Sequence, residues 1–385
     1  MQTRLAPPSA DALAASAQLK QIIVDTIAAA SGWISFARYM ELALYTPGLG
    51  YYAGGSRKFG AEGDFVTAPE MTPLFGRALA RQVAQILQAS TPEVIEVGAG
   101  SGRLAVDLLS ALDALGCAPQ RYRILELSGE LRARQAATLA DDAPQLLERV
   151  EWLDRLPERI SGCLVANELL DAMPTHTVRW SEDFVLEIGV GVDAHGDLVG
   201  VERPADETLR LAAQAVPVAA PYCGEIGLAA RAWVAEIAER LECGVLLLID
   251  YGMSAHELYH PQRNGGTVRC HYRHTVHDDA FWHPGLSDIT SHVDFSAVAE
   301  AGFAAGLEVL GYASQANFLL NCGVGELLLA QRAASDGADG FRAQNAVNRL
   351  IAPNEMGELF KAIALGRGID APLLGFMRGD RVHTL

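Results

Sequence analysis

Apolar residues recur along this chain at two spacings, and the switches between them mark out its elements. Helical spacing governs residues 19–30 and 34–44, and again 73–89, where Thr72 is a fitting N-cap and Pro73 takes the first helical position. Short apolar runs bounded by turn residues then predict strands at 94–97, 121–127, 150–153 and 162–166, each followed by a helical or polar stretch. Strict alternation in Phe184-Val185-Leu186-Glu187-Ile188-Gly189-Val190 turns at 193–197 and returns through Leu198-Val199-Gly200-Val201, the pattern of an inserted β-hairpin. A helical stretch over 229–241 leads into Gly244-Val245-Leu246-Leu247-Leu248-Ile249-Asp250-Tyr251-Gly252, a continuous apolar run of the kind found in a central parallel strand. Residues 307–315 read as a further strand, and 356–365 as a helix that passes into a possible closing strand. The alternation predicts an α/β fold with a doubly wound, mostly parallel sheet. A helical lead-in, with a loop covering the ligand edge, occupies 1–90. The core occupies 91–385, with insertions at about 175–240 and 253–300.

The carboxyl ends of these strands carry the candidate chemistry. The first strand runs through Glu96 and Val97 into Gly98-Ala99-Gly100-Ser101-Gly102 and then a helix. Glycines at such a turn admit a ligand close to the backbone, at a helix start where N–H groups remain unpaired. A dinucleotide fingerprint wants its third glycine where Arg103 stands. G-x-G-x-G preceded by Glu96 instead suits S-adenosyl-L-methionine, which has no phosphate and carries a cationic amino-acid end. The bland reading is a tight turn that needs glycine. Glu126 ends the second strand, where a carboxylate can accept from a ribose diol, and Leu127 follows it. Leu153 and Asp154 close the third strand, and Asn167 and Glu168 the fourth. Open α/β sheets bind ligands along this edge.

Composition narrows the field. A net charge of −17 with no basic run leaves no footprint for nucleic acid. Only Lys20, Lys58 and Lys361 are lysines among thirty basic residues, which reads as codon bias in a GC-rich bacterial genome. Six scattered cysteines without a C-x-x-C indicate reduced thiols, no apolar stretch reaches the length of a membrane span, and the expected location is cytoplasmic. His271, His274 and His277 recur at threes, yet Arg269 and Arg273 among them would repel a divalent ion, so no metal is expected. His292 reads as a loop-locking residue, and Tyr51 and Tyr52 as packing or as an acceptor wall.

Several further strings complete a set: Gly63-Asp64-Phe65-Val66-Thr67-Ala68-Pro69-Glu70, Ala166-Asn167-Glu168-Leu169-Leu170-Asp171-Ala172-Met173-Pro174, Asp250-Tyr251-Gly252, Asp288-Ile289-Thr290-Ser291-His292-Val293-Asp294-Phe295, Gln315-Ala316-Asn317-Phe318 and Met356-Gly357-Glu358-Leu359-Phe360-Lys361. Together with the glycine motif they resemble the MidA family of class I S-adenosyl-L-methionine-dependent methyltransferases, over residues 34–364. The resemblance implies a Rossmann-like sheet with an antiparallel strand near its C-terminal end. It implies S-adenosyl-L-methionine as cofactor and a protein substrate, possibly a respiratory-complex subunit, since mitochondrial members are arginine methyltransferases that assist complex I assembly. Gly98, Ala99, Gly100 and Gly102 would then line the methionine end, with Leu153 and Asp154 beside the adenine. Asn167 and Glu168 would face the transferred methyl. A guanidinium acceptor calls for paired carboxylates, for which Glu168 is the first candidate, with Asp171, Glu70 and Asp64 as second partners. Thr67 is expected to donate to the methionine carboxylate, and Glu70 to face the acceptor channel. Two other readings stand beside this one: a cofactor-binding assembly factor with little catalysis, and a small-molecule methyltransferase. Oligomeric state is open.

Overall fold

Four of the short apolar runs become parallel strands: β1 (Glu93–Val97), β2 (Arg121–Leu125), β3 (Val150–Leu153) and β4 (Ile160–Asn167). The computed structural model, described over residues 5–54, 66–334 and 337–385, divides the chain into two units. These strands belong to the unit made of Val66–Leu169, Trp233–Met253 and Phe295–Leu385. Its sheet runs Glu308–Ser314, Phe360–Arg367, Leu241–Met253, β4, β1, β2, β3. Leu241–Met253 pairs in parallel with β4, whereas Phe360–Arg367 is antiparallel to both its neighbours. This is the mostly parallel order expected from the sequence, with the antiparallel strand near its C-terminal end. Because β1 has β2 on one side and β4 on the other, the strand order reverses there, and the carboxyl ends of β1 and β4 open a crevice.

Burial explains why the strands stay in place. Val94, Val165, Leu247 and Ala364 are buried in one apolar cluster with Leu79, Val83 and Ile86 from the helix Pro73–Ala89 and Leu104 and Leu108 from the helix Arg103–Ala114. Thr72 caps the first of these helices, its hydroxyl accepting from the Leu74 N–H at 3.3 Å. The four strands near 94–166 match their expected positions closely, because short runs dominated by apolar residues and bounded by turns have few other ways to bury themselves.

The other unit comprises Met1–Phe65, Leu170–Ala232 and Ser254–Asp294. The helices Ala10–Ala29 and Phe36–Tyr45 pack Leu19, Ile23, Ile27, Tyr39 and Met40 with Val190, Cys270 and Ile289. An antiparallel sheet in the order Leu198–Pro204, Val185–Val192, His176–Trp180, Tyr222–Ile226 and a smaller one of Thr275–His277, Arg269–Tyr272 and Asp288–Thr290 complete it.

Three outcomes differ from the sequence expectation. The first helix starts at Ala10, capped by Ser9, not at 19, because alanines in its early turns give no apolar signal. The hairpin is half of a four-stranded sheet, whose other two strands are too short and mixed in polarity to stand out. The expected division at residue 90 falls instead near 65. The helix Pro73–Ala89 buries Leu74, Phe75, Leu79 and Val83 with the parallel sheet, while the N-terminal helices share a core with the insertions.

Two glycines offer a controlled test of the strand geometry. Gly244 sits at φ +134°, and a Cβ there would lie 1.9 Å from the Gly162 carbonyl oxygen in the adjacent strand. Gly196 sits at φ +84° with open space around it. Gly244→Ala should cost about 3 kcal/mol or more, and Gly196→Ala about 1–2 kcal/mol, read as shifts in thermal midpoint. Equal losses would mean that the strand pair opens freely to admit a methyl group.

Candidate functional site

The crevice edge is built from loops whose residues are tied to one another more tightly than their sequence spacing suggests. After β1 the backbone passes through Gly98, Gly100 and Gly102 at φ +72°, +53° and +85°. A side chain at Gly102 would meet the Gln135 Cα at 3.0 Å, so both the conformation and the close approach require glycine. Ala99, between them, is buried. Ser101 donates its hydroxyl to the Glu70 carboxylate.

At the end of β2 the Glu126 carboxyl is only 9 % exposed. Its Oε1 accepts from the Ser128 N–H at 2.9 Å and its Oε2 from Gln135 Nε2 at 3.1 Å. Burial raises its pKa, opposed by these hydrogen bonds and by the nearby Arg132. Arg132 also binds the backbone carbonyls of Glu126 and Leu153, at 2.6 Å each, and the Asp154 carboxylate at 2.8 Å, clamping the ends of β2 and β3 together. Leu127 (81 % exposed) and the Asp154 side chain (90 %) stand at the rim.

The end of β4 is the most constrained point. Glu168 holds φ +53°, which favours glycine. Its N–H donates to the Ile249 carbonyl at 2.9 Å, and the Leu169 N–H donates to Asp250 Oδ2 at 2.9 Å. Asp250 is buried and also accepts from the Tyr251 N–H. Glu168 Oε1 accepts from both the Ala68 N–H, 3.1 Å, and Asn167 Nδ2, 3.0 Å. Among the described residues, Asn167 Oδ1 is buried with no hydrogen-bond partner. A donor on a bound ligand would satisfy that acceptor.

Glu70 lies within the four-residue helix Ala68–Met71, and Thr67 sits at its N-cap position without a side-chain capping bond. This short helix joins Glu168, through the Ala68 N–H, to the glycine loop, through Glu70 and Ser101. Glu70, expected at an acceptor channel, meets the glycine loop through its carboxylate, because Ser101 offers a hydroxyl there. Asp64 and the rest of the expected covering loop up to residue 65 lie outside the described residues. Asp171 falls in the other unit, where its carbonyl accepts from the Ser291 N–H. There Tyr51 is buried and Tyr52 donates to Asp288 at 2.9 Å, while the His292 N–H donates to Thr267 Oγ1.

Glu96 also departs from expectation. Its carboxyl is 2 % exposed and accepts from the Tyr122 hydroxyl at 2.5 Å, so it supports the glycine loop from within the sheet and presents no group at the surface. Burial raises its pKa to about 7, against the Tyr122 hydrogen bond, with the Glu126 charge adding to the rise. Gln135, Arg132, Ser101 and Tyr122 went unnoticed in the sequence. Only the helical phase of Arg132 and Gln135, three residues apart just after Glu126, could have flagged two of them.

Residues 78–313 match the model of a family of S-adenosyl-L-methionine-dependent methyltransferases. The protein arginine methyltransferase NDUFAF7, mitochondrial, of Danio rerio is 28 % identical, over 86 % of this chain and 83 % of its own. Its Mus musculus counterpart is 29 % identical, over 87 % and 81 %. A crystal structure from Burkholderia thailandensis, bound to S-adenosyl-homocysteine, is 50 % identical and superposes with a TM-score of 0.94, covering 99 % of this chain and 100 % of that one.

The raised pKa of Glu96 gives a pH test. A buried carboxyl that ionises near 7 in the fold but near 4.5 when unfolded costs nothing below about 4.5. Stability is lost as pH rises from there to about 7, by about 3 kcal/mol. Glu96→Gln keeps an acceptor for Tyr122 and removes the charge. The variant should hold its thermal midpoint between pH 5 and 8 where the parent declines. Parallel midpoint curves would mean that Glu96 is ionised in the fold throughout.

Proposed function

This chain belongs to the family of S-adenosyl-L-methionine-dependent methyltransferases, and we propose that its methyl acceptor is an arginine guanidinium on a protein substrate. Bound S-adenosyl-L-methionine supplies an electrophilic methyl group on a cationic sulfur. The residues on the crevice edge fit that ligand. Asn167 Oδ1 is a buried acceptor in want of a donor, suited to an ammonium or an acceptor N–H, and Glu126 is a carboxylate positioned for a ribose diol. In this reading Gly98, Ala99, Gly100 and Gly102 line the methionine end with Thr67 beside them, Leu127, Leu153 and Asp154 form the adenine rim, and Glu96 and Glu70 brace the loop.

The observation that carries the acceptor assignment is the Glu168 carboxylate. It stands at the end of β4, where Oε1 accepts from two N–H donors, beside Asn167 Oδ1, which no donor among the described residues reaches. A guanidinium is planar, permanently charged and rich in donors, and it is oriented best by acceptors held rigidly in this way. Glu168 accepts an N–H of the guanidinium, turns the reacting nitrogen toward the methyl group, and draws off the proton that this nitrogen gives up on alkylation. Methyl transfer is an in-line displacement, so positioning of this kind is the main contribution the protein makes. The names of the relatives, which are protein arginine methyltransferases, support the same acceptor.

Transfer of a labelled methyl group from S-adenosyl-L-methionine to host lysate tests the proposal. A labelled polypeptide whose acid hydrolysate contains methylarginine is expected. Glu168→Gln should lower transfer about a hundred-fold or more while leaving cofactor affinity nearly unchanged. Label found only in lysine, or only in small metabolites, would overturn the arginine assignment.

A further inference from the structure

The helix Gly129–Asp142 carries one amide that touches three parts of the cofactor edge at once. Gln135 is fully buried. Its Oε1 accepts from the Trp152 indole N–H at 2.9 Å. Its Nε2 donates to the Gly100 carbonyl and to Glu126 Oε2, both at 3.1 Å. An indole nitrogen can only donate, so Trp152 settles which way the amide faces, and the two hydrogens of Nε2 are left for the two acceptors. The backbone of the same residue abuts Gly102 so closely that a Cβ there would come within 3.0 Å. The glycine turn after β1, the carboxylate after β2 and the indole on β3 thus meet on a single side chain.

We propose that Gln135 is the positioning residue of the cofactor site, holding the Glu126 carboxylate and the Gly100 turn in the one arrangement that accepts the ribose and the methionine end together. Resting on the reading of Glu126 as the ribose acceptor, this role of Gln135 is indirect, because both donors of its amide are engaged by the protein. It acts through Glu126, which it orients and keeps ionised by donating to one oxygen while the Ser128 N–H donates to the other. Burial is the largest influence on this ionisation and favours the neutral carboxyl, while the hydrogen bonds from Ser128, Gln135 and Leu127 and the charge of Arg132 on the same helix favour the carboxylate; the Glu96 carboxyl on β1 is the neighbouring acidic group whose titration Glu126 in turn affects. Loss of the Gln135 donor leaves Glu126 easier to protonate, so ligand binding should fail at a higher pH than in the parent.

Calorimetric titration with S-adenosyl-homocysteine over pH 5–8 tests this without any methyl acceptor, so its result is independent of the arginine assignment. Gln135→Met keeps the length and packing but removes both donors. It should weaken binding about ten- to hundred-fold near neutral pH and move the acid limb of the affinity curve upward. In a Glu126→Gln background, which has no carboxylate to orient, adding Gln135→Met should change affinity far less. If Gln135→Met fails to fold, Trp152→Phe serves instead, since it frees the amide to rotate while keeping an aromatic ring on β3. That variant should bind more weakly than the parent and shift the acid limb in the same direction. A folded variant of either kind with parental affinity and a parental pH curve overturns the proposal. So does an undiminished effect of Gln135→Met when Glu126 is glutamine.

Discussion

Glu168 occupies a left-handed backbone conformation that costs an ordinary residue about 1–2 kcal/mol, and it stays there because its neighbours leave it no alternative. The Ile249 carbonyl extends the sheet ladder by one more bond into its N–H. The buried Asp250 then takes the next N–H, that of Leu169, and stops the strand from running on. With the main chain turned in this way the carboxylate is delivered to the strand end, where Ala68 and Asn167 fasten it. Had β4 continued in extended form, side chains would have alternated across the sheet and Asn167 and Glu168 would face opposite layers. The kink therefore converts a structural strand into a site.

Charge distribution follows from the same edge. Glu96, Glu126 and Glu168 all stand at or near the strand ends, and the donors described for them include a phenol, an amide and backbone N–H groups. Arg132 lies beside Glu126 and divides itself between two carbonyls and Asp154. A neutral donor holds a carboxylate in place without cancelling its charge, whereas burial keeps Glu96 largely neutral up to about pH 7, so it braces the loop and adds little to the field at the edge.

The sheet could be read from the sequence because its strands carry short apolar runs that stop at glycine or a polar residue, two signals that local composition carries without help. Positions 98, 100, 102, 126, 167 and 168 announced themselves for the same reason: each is a polar or glycine residue where an apolar run stops. Gln135 and Arg132 gave no such notice. They belong to an amphipathic helix whose polar residues look like an ordinary solvated face, and only folding shows that Gln135 points inward. Glu96 misled for the opposite reason. Its place beside the glycines suggested a ligand contact, but alternation along β1 directs it toward Tyr122. The grouping of the N-terminal helices with two distant insertions could not be read from local pattern at all, since it depends on contacts between segments more than a hundred residues apart.

The position of the last strand bears on how the chain is made. Phe360–Arg367 lies between Leu241–Met253 and Glu308–Ser314, so each of those strands waits for a neighbour that is made later than both. Until then the most apolar strand of the sheet lacks that neighbour, and an open strand edge recruits other chains. The time between synthesis of residue 253 and release of residue 367 is thus the interval in which this protein most needs a chaperone. Removing Phe360–Arg367 would extend that interval indefinitely.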